Sequence, residues 1–307
     1  MLSALLALPW ALLVLAITIS TLKHGPFGRT EVSSGQTTSV VEANRALAQR
    51  NWLTVGVGLV TLAVMLIIGS IYAPLDSDRT LALAPLTAAI SSIIVVAIRP
   101  LSSIRESNES RSADIIQRKL WHFAPLWMIA ATALIFGGSI TIFVLLGNMA
   151  DADGMSFSRR TARSEKSWDP FPGFFYAVPI IAAIVVLGIV VALALARITN
   201  APRPTSPPLA DADSATRFHA IKLALKIGVG AVAYTSGIWL VHAGGGSRHI
   251  GEGIPDFMDP DLSLLALGKM LLIAGWVSQL VGIAFVVWAG RDALKNPVAA
   301  EVPKLQK

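Results

Sequence analysis

The chain has 307 residues, 54% of them hydrophobic and only 14% charged, with a mean hydropathy of +0.64. A soluble domain carries about a quarter charged residues, so this composition excludes one and points to a protein whose solvent is lipid. The formal net charge of +6 does not indicate a nucleic-acid partner, because the basic residues sit in loops between apolar runs, and the lack of cysteine excludes disulfides and thiolate chemistry.

Lipid cannot satisfy exposed backbone groups, so a crossing segment must be a helix of about 20 mostly apolar residues. Seven stretches qualify: residues 2–20, 51–73, 81–98, 123–147, 174–196, 222–243 and 264–289. None contains Asp or Glu, and the ionisable groups inside them are Lys222, Lys226, His242 and Lys269. The first stretch lacks the cationic start of a secretory signal and is followed by Lys23, Arg29, Arg45 and Arg50. It therefore reads as a retained span with its N-terminus outside. The third, interrupted by Pro85, is the shortest. Before the fourth, residues 105–123 are basic and partly amphipathic, which reads as a helix lying against anionic headgroups, with a solvated loop as the alternative.

Alternate loops hold 16 and 6 of the Lys and Arg residues, and the richer set, ending at the C-terminus, belongs in the cytoplasm. Four of the other six (Arg159, Arg160, Arg163 and Lys166) share loop 148–173 with Asp151, Asp153, Glu165 and Asp169, so that outer loop is neutral. Trp52, Trp121 and Trp288 fall at predicted cytoplasmic interfaces, whereas Trp276 lies near mid-span and is expected to pack against neighbouring helices.

At the entry to the fifth span, Asp169-Pro170-Phe171-Pro172-Gly173-Phe174-Phe175-Tyr176 is followed by Pro179 and, past the span, by an Arg/Pro-rich segment. Two prolines fix the approach and three aromatics anchor the outer interface. This local pattern, across residues 169–200, resembles a group of uncharacterised actinobacterial multi-spanning integral membrane proteins. The resemblance implies a membrane location and supplies no active residues. After it, Ala201–Asp213 holds four prolines and reads as a cytoplasmic linker. The predicted organisation is a five-helix part (1–200), the linker (201–213), and a two-helix hairpin with a cytoplasmic tail (214–307).

In that hairpin Gly230, Gly237 and Gly244 recur every seven residues, as do Gly268, Gly275 and Gly282. Small residues let membrane helices approach closely, and a seven-residue period keeps one face aligned. Because the helices are antiparallel, a rise of about 1.5 Å per residue sets Gly244 level with Gly268, Gly237 with Gly275 and Gly230 with Gly282.

Chemistry is sparse. There is no phosphate-binding glycine motif, and Gly244-Gly245-Gly246 reads as a helix exit. His242, His249, Glu252, Asp256, Asp259 and Asp261 gather near one outer loop at spacings that match no ligand pattern, so no metal and no cofactor are expected. Ser236 near His242 loosely resembles an intramembrane serine protease, yet the two are six residues apart on different faces of one helix. Candidate pathway or ligand-lining residues are Tyr234, Ser236, Lys269, Ser278 and Gln279, with Lys269 expected to snorkel and pair with Asp256, Asp259 or Asp261.

The sequence thus predicts an all-α, seven-helix polytopic bundle of the plasma membrane, N-terminus outside and C-terminus cytoplasmic. Its partners are the lipid bilayer and other membrane proteins. The absence of coupling carboxylates favours a non-enzymatic accessory or sensory subunit. A permease-like carrier or channel for a small neutral or anionic solute comes second, and an intramembrane protease third.

Overall fold

The computed structural model describes residues 38–71, 77–98, 125–162, 164–201, 207–255 and 257–294. The expected first span and the expected interfacial helix at 105–123 lie outside the described residues. In chain order the elements are α1 (Thr38–Ile71), α2 (Ser77–Ile98), α3 (Leu126–Met149), β1 (Phe157–Arg160), β2 (Glu165–Trp168), α4 (Phe174–Asn200), α5 (Pro207–Gly251) and α6 (Leu262–Leu294). All six helices are long and apolar enough to cross a membrane, and the described chain is a mostly helical membrane bundle.

Hydropathy sees only the part of a helix that lipid would cover, so the helices outrun the predicted spans. The largest difference is α5, which runs over Pro207–Gly251 where 222–243 is expected. Residues 207–213, read as linker, are its first turns. Pro207 and Pro208 are tolerated there because the first helical N–H groups have no partner within the helix in any case. The helix α2 continues through Pro85, which is buried among its neighbours.

The centre of the bundle is α5. Its apolar window is 89% buried, against 11% for that of α6. The main core joins Leu86 and Ile93 of α2, Ile184 and Leu187 of α4, and Ala224 and Val232 of α5. Helix α5 therefore shares one core with α2 and α4. Leu134, Leu193 and Ile273 point outward, as expected where the solvent is lipid. Trp276, expected to pack internally, is 49% exposed and joins that lipid-facing surface.

The loop between α3 and α4 folds into an antiparallel β-hairpin, with Phe157 opposite Trp168 and Arg160 opposite Glu165. Its turn is closed by the Thr161 amide bonding the Ser164 carbonyl at 2.8 Å. Phe157 packs on Phe171 at 5.0 Å, which fastens the hairpin to the entry of α4.

Candidate functional site

Helix α5 makes its most extensive interface with α6. A Cβ built on Gly230, Gly237 or Gly244 would stand 3.1, 2.7 or 2.8 Å from the carbonyl oxygen of Gly282, Gly275 or Gly268. The reciprocal distances are all 2.8 Å. Backbone therefore meets backbone at three successive levels, which only residues without side chains permit. A fourth contact was not foreseen: Gly251 ends α5 with its carbonyl accepting the Asp261 amide at 2.8 Å, and a Cβ there would lie 2.9 Å from the Leu265 nitrogen.

The nominated polar residues do not converge. Ser236 bonds Ser139 of α3 at 2.9 Å, and Ser278 donates to the Ala233 carbonyl at 2.7 Å, so each joins two helices. Tyr234 is buried with Leu81 and Ile238. Gln279 is half-buried against Gly237. Lys269 is exposed on α6 and has no ion-pair partner among the described residues. Its expected partner Asp261 instead accepts from the amides of Ser263 and Leu264 as the cap of α6, Asp259 makes no pair with it, and Asp256 lies outside the described residues. Between these positions Thr235 Oγ1 and Trp239 Nε1, one turn apart on α5, are buried without hydrogen-bond partners.

At the end of the bundle that carries the 148–173 loop, three of its cations are held locally. Arg160 pairs with Glu165, Arg159 donates to the Asp259 carbonyl at 2.9 Å, and Lys166 donates to the Gly253 carbonyl at 2.8 Å. The hairpin is thereby tied to the loop before α6. Trp168 stacks near His249 at 5.2 Å and closes over Gly246, whose Cβ would meet its ring at 2.6 Å. The Asp153 carboxylate accepts from the Met155 and Ser156 amides, which hold it below its ordinary value of 3.8.

At the opposite end lies a set of buried ionisable groups, which by hydropathy alone fall in loops or, for Lys226, inside a span. Arg217 is 0% exposed; it pairs with Asp213 at 2.7 Å and donates to the carbonyls of Ile198 and Ala201, capping the end of α4. Lys226, 2% exposed, pairs with Asp292 of α6 and lies 3.6 Å over the Trp288 ring. On α1, Asn51 donates to the Ala293 carbonyl at 3.0 Å and accepts a long 3.4 Å contact from Arg50. Arg50 is 3% exposed, with its Nε unbonded and no carboxylate partner among the described residues. His219 lies within electrostatic range of Asp292, Arg50, Lys226 and Lys222, and its Nε2 is buried without a partner. Three helices thus bring Arg50, His219, Lys226 and one acid together.

No family model, curated protein or solved structure matches the chain.

Proposed function

We propose that this chain is a non-enzymatic accessory or sensory subunit of the plasma membrane that spans the bilayer seven times, N-terminus outside and C-terminus cytoplasmic. One observation carries the reading: the polar side chains best placed to line a path are committed to other helices, Ser236 to Ser139 and Ser278 to Ala233, around a central α5 that is almost wholly buried. A carrier needs such groups free to face a substrate in alternating states. The lipid bilayer and a neighbouring membrane protein are the partners of this reading.

A second reading, a permease-like carrier or channel, is favoured by Thr235 and Trp239, whose unbonded polar atoms inside the bundle would suit a small polar solute. Reconstitution into liposomes separates the two. The accessory reading expects efflux of small neutral and anionic solutes no faster than from protein-free vesicles. Flux that disappears in Thr235→Val would replace it with the carrier.

Orientation is tested by single cysteines in this cysteine-free chain, at Ser33 and Ser107 for the inside and at Ala162 and Glu252 for the outside. The last two are exposed, whereas Ser247, in the last turns of α5, is buried. An impermeant thiol reagent on whole cells is expected to label the second pair alone. Labelling of the first pair instead would reverse the topology.

A further inference from the structure

We propose that the buried basic cluster of Arg50, His219 and Lys226 binds a phosphate-type oxyanion where α1, α5 and α6 meet. This goes beyond the accessory reading and does not depend on it.

Charge is the first argument. Lys226 has its counter-ion in Asp292, but Arg50 has none among the described residues, and a guanidinium cannot discard its proton to escape burial. Among the described residues the cluster therefore carries an uncompensated positive charge. A water molecule could satisfy the unbonded Nε but could not balance the charge; an anion does both.

Donor geometry is the second. A guanidinium presents a planar fork that matches two oxygens of an oxyanion, and the unbonded Nε belongs to that fork. His219, on the same side of α5 as Lys226 seven residues later, adds another buried nitrogen without a partner. Trp288 covers Lys226 from α6.

Depth is the third. The apolar window of α1 begins at Leu47 and that of α6 ends at Ala293, so Arg50 and Asp292 stand at the same end of their spans. Arg50 is three residues inside its window, about 5 Å along the axis. That is headgroup depth, reachable both by the phosphate of an anionic lipid and by free phosphate from the aqueous side.

The test uses the full chain in nanodiscs of phosphatidylcholine alone or with phosphatidylglycerol, the former also titrated with inorganic phosphate against chloride of matched ionic strength. The readout is the thermal unfolding midpoint. Occupancy is expected to raise Tm by ~2 °C or more, since a ligand that binds only the folded state stabilises it. A rise with phosphatidylglycerol alone assigns a lipid headgroup, and a rise with inorganic phosphate in phosphatidylcholine assigns a free anion. Arg50→Gln is expected to abolish the rise. Asp292→Asn, which removes the competing internal carboxylate, is expected to enlarge it, and this opposite response remains readable should Arg50→Gln fold poorly. No rise under either condition, or a rise that Asp292→Asn leaves unchanged, overturns the site.

Discussion

Replacing Gly237 with Ala tests the backbone contact between α5 and α6 at its middle level. The new Cβ would lie 2.6 Å from the Gln279 nitrogen and 2.7 Å from the Gly275 carbonyl oxygen. Carbon normally keeps about 3.5 Å from such atoms, so the helices must part by about 1 Å. Both of these atoms are backbone, and moving the Gln279 side chain, whose Cγ would lie 2.7 Å away, would not relieve them. Overpacking of this kind costs about 1–3 kcal/mol, offset by up to about 1 kcal/mol from the better helix propensity of Ala. A net loss of ~1–2 kcal/mol should lower Tm by about 2–3 °C for a chain of this size. Gly138→Ala is the control, because a Cβ there meets nothing within 4 Å; its effect should stay within about 0.5 kcal/mol. Gly275→Ala demands the same separation from the other side, so Gly237→Ala/Gly275→Ala should cost about 1 kcal/mol less than the sum of the singles. Thermal unfolding of the four variants in one detergent, followed by circular dichroism, decides it. If Gly237→Ala behaves like Gly138→Ala, or if the double variant is additive, the glycines are not what holds these helices together.

Arg217→Met should lower stability by about 3–5 kcal/mol, since it strands the buried Asp213 carboxylate and uncaps α4; chemical or thermal unfolding in detergent reads it, and a change under 1 kcal/mol would contradict it. The Asp153 carboxylate, depressed chiefly by the Met155 amide, gives its full contribution above the unfolded value near 3.8 and loses it as pH falls through the lower folded value. Amide exchange in residues 151–168 should therefore quicken at the acid end of that window, and Asp153→Asn should remove the pH dependence. Lys269→Met should leave expression and unfolding midpoint unchanged or improved, because a lipid-facing lysine is penalised and this one has no ion-pair partner among the described residues. A clear fall in either would give Lys269 a structural role.

Much of the bundle was legible because lipid imposes one-dimensional rules. A run such as Phe174–Asn200 must be a helix to satisfy its backbone, and hydropathy needs no knowledge of neighbours to find it. The glycine levels were legible for a related reason: in two antiparallel helices, sequence spacing converts directly into depth. What hydropathy could not give was the extent of polar helix beyond the span, as at Pro207–Asp213, or the hairpin at Phe157–Trp168, whose strands are too short and too charged to stand out from a loop. Those charges also weighed against the assigned orientation, and their local pairing with Glu165 and the carbonyls of Gly253 and Asp259 explains how a loop tolerates them.

The buried cations were illegible for a deeper reason. In a membrane sequence Arg50 and Arg217 look like the basic residues that fix orientation, because both lie beside apolar runs where the positive-inside rule expects them. A residue obeying that rule in solvent and one enclosed by other helices are the same letter at the same distance from a span. Only the fold tells them apart, through contacts such as Asn51 with Ala293, 242 residues away, which close α1 over the end of α6. Enclosure reverses the meaning of the charge. At the surface Arg50 would cost little and specify topology; beneath a 3% exposed surface it must find a counter-charge, and the nearby acid, Asp292, already serves Lys226. At the end of the bundle that the charge rule assigns to the cytoplasm, the described residues thus leave Arg50 enclosed without a counter-charge.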